Sequence, residues 1–256
     1  VFVSKILSKS LLCAFSILAL SAPAYAESQT DTKLPFNEDQ RAAMEDFVRN
    51  FILDNPEVLM ESVNRFRMEE EKKKEEGSLK ILKENMGFLN NGQHPEIGNP
   101  KGDILIVEFF DYNCGYCHRA MEVLQKAVEN DKNLRVVFIE HPILSPQSLL
   151  AAKWAIAANK QGKYWAFHQE VMATKAPKDE ENLAKMAEKV GLNVEKLKAD
   201  VASKETEEYL ASVQDFANKL MVTGTPAFII GDQIIRGFME YEAFKTIIEG
   251  ERKNKS

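Results

Sequence analysis

Cysteine is scarce in this chain: three occur in 256 residues, alongside two tryptophans and four histidines. So low a count excludes a small scaffold stapled by several disulfides. Glycine at 12 and proline at 9 exclude a collagen-like or low-complexity polymer. There is no basic excess either, since 33 lysines and arginines face 39 acids for a formal charge of -6. Nucleic-acid partners select a basic face, so none is expected. Long apolar runs are missing as well: the segment from Leu11 to Leu20 is about half of the roughly 20 residues that a spanning helix needs. What remains is a chain 45% hydrophobic and 28% charged, enough to bury a sizeable core in one ordinary domain with appendages.

The apolar segment has a specific anatomy. Lys5 and Lys9 precede it and Ser21-Ala22-Pro23-Ala24-Tyr25-Ala26 follow, giving a positive region, a short hydrophobic region and an A-x-A site. Residues 1–26 are therefore expected to be a signal peptide cleaved after Ala26, which sends the remainder to the periplasm. Cleavage removes Lys5, Lys9 and Cys13, so the net charge falls to -8 and the cysteines left are Cys114 and Cys117. A cross-link between residues three apart closes almost no loop and gains almost no stability. In an oxidising compartment, the pair is better explained as chemistry than as a staple.

Residues 27–33 are polar and read as a tether. Asn37 is placed to cap a helix in which Met44, Phe47, Val48, Phe51 and Ile52 make one apolar stripe. Asn55-Pro56 reads as the N-cap and first residue of a second helix bearing Val58, Leu59, Val63 and Phe66. That helix runs into the charged stretch Glu69 to Glu76, a solvated face, and Gly77 is expected to interrupt it before a helical pattern resumes from Leu79 to Leu89. Asn90-Asn91-Gly92 marks a loop. Residues 27–92 are thus expected to form an N-terminal helical region whose apolar stripes pair with those of another copy.

Residues 93–256 are expected to form the main domain. Ile104 to Phe110 reads as a strand buried on both faces, Cys114 to about Asn130 as a helix, and Leu134 to Ile139 as the next strand, together a βαβ unit. Helices fill about 146–220, where aromatic residues at helical spacing, His168 among them, read as core. Ala227 to Ile230 and Gln233 to Arg236 then flank a Gly231-Asp232 hairpin turn, and a last helix starts near Tyr241. The fold class is α/β, a sheet interrupted by a helical insertion.

Where the first long strand gives way to a helix lies Cys114-Gly115-Tyr116-Cys117. A sulfur at that helix N-terminus faces unpaired N–H groups, which favours a thiolate. A thiolate is the attacking species of thiol–disulfide exchange, and a thiol three residues on is placed to resolve the mixed disulfide. Glu108, six residues before Cys114, is expected to point inward beneath Cys117, where a carboxyl with a raised pKa takes the Cys117 proton. Thr225-Pro226 stands at the start of the hairpin, where proline needs no ladder donor. Two other readings share these residues. Cys114 to His118 satisfies C-x-x-C-H, the c-type haem attachment motif, and two thiolates with His118 suit copper(I) or zinc.

The stretches VEFFDYNCGYCH, FIEHPIL, QGKYWAFHQ and VTGTPAFIIG, with helices ahead of them, resemble the DsbA-like oxidoreductases of thioredoxin fold. Within these they are most similar to the Com-type and ScsC-type periplasmic proteins, over about residues 37–250. The resemblance implies a thioredoxin fold with an inserted helical domain, preceded by N-terminal oligomerisation helices that drive a homodimer or homotrimer. It implies Cys114 as attacking and Cys117 as resolving thiol, a cis Pro226 beside them, and a Thr225 backbone that hydrogen-bonds an extended client, with Gly115 and Tyr116 lining the contact. Clients would be exported proteins with thiols or disulfides, and the redox partner a membrane protein of DsbB or DsbD type, with no cofactor and no bound metal. Two departures stand out: the dipeptide is Gly-Tyr where strongly oxidising members have Pro-His, and Ile139 replaces a lysine before Glu140-His141-Pro142-Ile143. Both point to a less oxidising pair. The expected activity is disulfide isomerisation with oxidase activity alongside it; a copper(I)-binding protein of the same fold is the alternative.

Overall fold

The computed structural model describes residues 36–254; the expected signal peptide and tether lie outside them. The described chain divides after Glu61 into two units. In the first, α1 (Glu38–Asp54) starts at a capping box: the Asn37 side chain accepts the Gln40 N–H at 2.9 Å and the Gln40 side chain accepts the Asn37 N–H at 3.0 Å. Two orphan donors of the first turn are satisfied in this way. Met44, Phe47, Val48, Phe51 and Ile52 fall on one stripe, and all are exposed, Phe47 by 69%.

Pro56 opens α2 (Pro56–Glu84), but Asn55 serves the helix before it. Its Nδ2 donates to the Phe51 carbonyl at 2.8 Å, making it the C-cap of α1. Gly77 does not interrupt α2, contrary to the sequence expectation; the helix is continuous for 29 residues. A mid-helix glycine costs only about 1 kcal/mol, and tertiary anchors lie just beyond it. The Ser78 hydroxyl donates to the Leu220 carbonyl at 3.1 Å, and Leu82 is fully buried. With Leu89 of α3 (Met86–Leu89), Leu82 packs into the main core, so the last part of the N-terminal helical region belongs structurally to the second unit.

The sheet of that unit contains β1 (Glu96–Gly98), β2 (Ile104–Phe110), β3 (Leu134–Glu140), β4 (Ala227–Ile230) and β5 (Gln233–Arg236), in the order β1-β3-β2-β4-β5. β2 and β3 run parallel around α4 (Gly115–Asn130), the expected βαβ unit; β1 pairs antiparallel with β3, and β4 with both β2 and β5. Sequence reading did not find β1, whose three residues carry one large apolar side chain. Between β3 and β4 stand α5 (Pro146–Lys160), α6 (Tyr164–Ala173), α7 (Glu180–Lys189), α8 (Val194–Val201) and α9 (Lys204–Lys219), and α10 (Tyr241–Asn254) closes the chain.

Strand pleating sorts the sheet into two faces. Ile104, Ile106 and Phe110 of β2 and Val136 and Phe138 of β3 pack with α4, α6, α10 and most of the insertion. Their neighbours Val107, Phe109, Val137 and Ile139 face the opposite way, toward α9, Leu82 and Leu89. Glu108 shares the parity of Ile106 and Phe110, so it is directed into the face that holds both cysteines.

Candidate active site

The last residue of β2 is followed by a three-residue loop before Cys114, and Asp111 organises it. The Asp111 carbonyl accepts the Cys114 N–H at 3.0 Å. One carboxylate oxygen accepts the Asn113 N–H at 2.7 Å, and the other accepts the N–H groups of Ile143 and Leu144, both at 2.9 Å. Asn113 Nδ2 in turn reaches the hydroxyls of Ser145 and Ser148, each at 2.9 Å, at the N-terminus of α5. The cysteine loop and the loop after β3 are therefore one hydrogen-bonded body.

Cys114 is the N-cap of α4. Its sulfur accepts the Cys117 N–H at 3.4 Å and lies 3.3 Å from the Thr225 carbonyl. The Cys117 thiol, then the Thr225 hydroxyl and the first-turn amides, favour the thiolate and bring the Cys114 pKa down to about 6, against the opposing effect of burial. Cys117 is sealed, with 0% exposure against 7% for Cys114. Burial, first of all, then the bond to Cys114 and the nearby Glu108 charge, push its pKa upward. Both thiols are free, so the structure represents the reduced dithiol.

Glu108 lies where the sequence placed it, fully buried, with neither carboxyl oxygen hydrogen-bonded among the described residues. Desolvation, with a smaller contribution from Cys114, raises its pKa well above the usual carboxylate range. Thr225-Pro226 is a cis peptide, and Pro226 is buried beside the Thr225 carbonyl that meets Cys114. Gly115 and Tyr116 are exposed at the tip of α4. The site therefore brings together Cys114, Cys117, Glu108, Thr225, Pro226, Gly115 and Tyr116.

Two other groups of residues escaped sequence reading. One is the Asp111–Asn113 tie. The other is a buried polar cluster: Tyr112 Oη lies 3.0 Å from His168 Nδ1 and donates to Glu140 Oε1 at 3.3 Å, while Tyr164 donates to the same oxygen at 3.0 Å. Burial raises the Glu140 pKa and lowers that of His168 to about 3. His168 is core, as read, but polar core. Asp111 and Tyr112 stand immediately before the cysteines in a run that the resemblance had already singled out; nothing local marks Tyr164 as their partner.

His118 does not complete a ligand set. Its Nε2 donates to the Tyr112 carbonyl at 2.9 Å, and among the described residues no cluster of three His, Cys, Asp or Glu side chains is placed to hold a metal. Thioether attachment of haem would need both sulfurs within reach, and Cys117 is enclosed.

A CxxC pair at a helix tip facing a cis-proline loop is a thioredoxin-fold dithiol site. Residues 105–249 match the DsbA-like thioredoxin domain, and the chain belongs to that family of thiol–disulfide oxidoreductases. Residues 40–73 match the copper resistance protein ScsC N-terminal domain, which makes the combination ScsC-like. A thioredoxin-like oxidoreductase from Silicibacter pomeroyi is 40% identical, superposes with a TM-score of 0.63, and aligns over 65% of this chain and 97% of its own. Proteus mirabilis ScsC in a transitional conformation is 25% identical with a TM-score of 0.63, over 86% of this chain and 98% of its own. Among curated relatives, the probable disulfide bond formation protein D of Bacillus anthracis is 28% identical over 61% of this chain and 77% of its own length. The chain also matches 24% of the length of a Salinispora arenicola Na(+)/H(+) antiporter NhaA 1, at 26% identity over 59% of this chain. It thus spans about a quarter of that longer relative. No described helix is long and apolar enough to cross a membrane.

Proposed function

We propose that the chain is a periplasmic thiol–disulfide oxidoreductase acting on exported proteins, with isomerisation its main activity and oxidation alongside it. The observation that carries this reading is the asymmetry of the two sulfurs: Cys114 is capped toward the thiolate at a pKa of about 6 and Cys117 is buried as a thiol. Cys114 attacks a client sulfur, the Cys114–client bond forms, and the client's second sulfur leaves as thiolate. A client thiolate can then attack the mixed disulfide and leave a rearranged client, with the dithiol regenerated. Otherwise Cys117 attacks Cys114, which releases reduced client and leaves the Cys114–Cys117 disulfide. That second route needs the Cys117 proton removed in place, and the unpartnered Glu108 carboxyl is the group basic enough and close enough to take it. Thr225 and Pro226 receive the client backbone as an added strand, flanked by Gly115 and Tyr116.

The exposed apolar stripe on α1 supports pairing of residues 27–92 with the same region of other copies, as a homodimer or homotrimer. Several clefts facing one another suit reshuffling, and a membrane partner of DsbD type would keep the pair reduced; one of DsbB type would keep it oxidised. The test is the Cys117→Ala variant, in which clients should remain bound to Cys114 as mixed disulfides visible on non-reducing gels. Absence of adducts while wild type turns over would overturn the reading. Refolding of scrambled ribonuclease separates the finer claim: a chain starting at Ser62 should lose isomerase activity, and equal activity would remove the oligomer from the mechanism.

A further inference from the structure

The tip of α4 carries an aromatic platform that the exchange chemistry does not use. Tyr116, between the two cysteines, is 59% exposed, and one face of its ring is backed by Phe238, with centroids 6.0 Å apart and planes at 28°. The Arg119 guanidinium lies 4.3 Å from the Phe238 centroid and 5.8 Å from that of Tyr116, and it is ion-paired to Glu240. Phe238 does not reach this place by chance packing. Its loop is fixed to the client-binding proline, because the Gly237 N–H donates to the Pro226 carbonyl at 2.9 Å. Gly237 has φ +101°, a backbone that side chains rarely adopt. Three elements thus converge beside Cys114: the first turn of α4, the cis-proline loop, and the loop between β5 and α10.

The Tyr116 ring is stacked on Phe238 with Arg119 beside it, yet the residue stays 59% exposed. A rigid, pre-stacked aromatic ring presents contact area at little conformational cost. The groups that lower the Cys114 pKa are Cys117, Thr225 and the first-turn amides, while the Arg119 guanidinium pairs with Glu240 and lies over the two rings. Its role is to hold the platform. Cys114 meets the Thr225 carbonyl at 3.3 Å and the exposed Tyr116 is two residues further on, so a client held at both would have its flanking residues near that ring.

We infer that Tyr116, backed by Phe238 and Arg119, is a specificity determinant that selects clients with an aromatic side chain next to the reacting cysteine. The inference rests on the proposed exchange activity and names its substrate class. It is tested with two peptides, identical except for tryptophan or alanine beside a single cysteine, each carrying a mixed disulfide to a coloured aryl thiol. Reduced protein supplies the two electrons: it ends as the Cys114–Cys117 disulfide, and the products are peptide thiol and aryl thiolate, whose release gives the rate. Wild type should favour the tryptophan peptide by about fivefold in the second-order rate constant of this single turnover, the size of one stacking contact. Phe238→Leu and Tyr116→Leu, which keep apolar bulk, should bring that ratio close to one, and an unchanged Cys114 pKa in Phe238→Leu shows that the site itself is intact. Equal rates for both peptides with wild type would overturn the selection while leaving the exchange reading standing. Failure of wild type to react with either peptide would overturn the exchange reading and the inference with it.

Discussion

The two faces of the sheet are built from alternate residues of the same strands, yet they hold different chemistry. On one side of β2 and β3, Val107, Phe109, Val137 and Ile139 pack against Leu82, Leu89 and Phe216, with His141 edge-on to Phe109 and His94 hydrogen-bonded to Tyr209 nearby. On the other, Glu108 and Glu140 project from those strands toward Cys117, Tyr112, Tyr164 and His168, all of them buried. One face spends its burial on stability. The other buries carboxyls whose desolvation is offset at Glu140 by hydrogen bonds from Tyr112 and Tyr164 and is uncompensated at Glu108, and both pKa values rise. The lesson is that the reactive face is supported from behind by a predominantly apolar face.

The largest effect expected from breaking this division comes from Phe109→Ala. It should lower unfolding free energy by about 3–5 kcal/mol in urea titrations and leave the Cys114 pKa near 6; a displaced pKa would show that the two faces are not separable. Glu108→Gln acts on the other side. With this variant, release of the mixed disulfide by Cys117 should slow by about a hundredfold while the first attack by Cys114 keeps its rate, as read by stopped-flow exchange with a model disulfide.

The same substitution sharpens the comparison through pH. Glu108 and Glu140 both have folded pKa values above the unfolded 4.5, so folding takes up protons. Stability from each is complete below pH 4.5 and is lost as pH rises toward the folded pKa, at up to about 1.4 kcal/mol per pH unit. Cys114 has the opposite sign: its pKa is depressed from 9.0 to about 6, so its contribution to the reduced form is complete above 9.0 and is lost as pH falls through 6. Between pH 4.5 and 6 the carboxyls dominate, and Glu108→Gln should flatten the decline there, measured by urea midpoints across that interval. The smallest effect belongs to Thr225→Val, which removes a hydroxyl that favours the thiolate. Thiolate absorbance should titrate at a slightly higher pH, and a fall would reverse the assigned role of that hydroxyl.

Much of the reactive face was readable in advance because its signals are local. The apolar run of β2, the helix start at Cys114, the turn at Gly231-Asp232 and the proline before β4 each announce themselves within a few residues. Glu108 was placed by its position six residues before Cys114 on the entering strand. What escaped depends on distant partners: the Asp111 carboxylate is explained by amides at residues 143 and 144, Tyr112 by Glu140 and His168, and Tyr116 by Phe238. The uninterrupted helix through Gly77 is the same kind of case. Ser78 and Leu82 hold it against a local preference to break. Asn55 shows a further limit, since its side chain can cap either neighbour and sequence does not say which.

The seal over Cys117 gives the molecule a built-in timer. Cys114 and Cys117 are the only cysteines among the described residues, and a bulky alkylating reagent applied to reduced, folded protein meets just the first. A second adduct requires a local opening that exposes Cys117. With reagent in excess, the lag between single and double labelling then reports how often Cys117 becomes accessible, without any substitution having to be introduced.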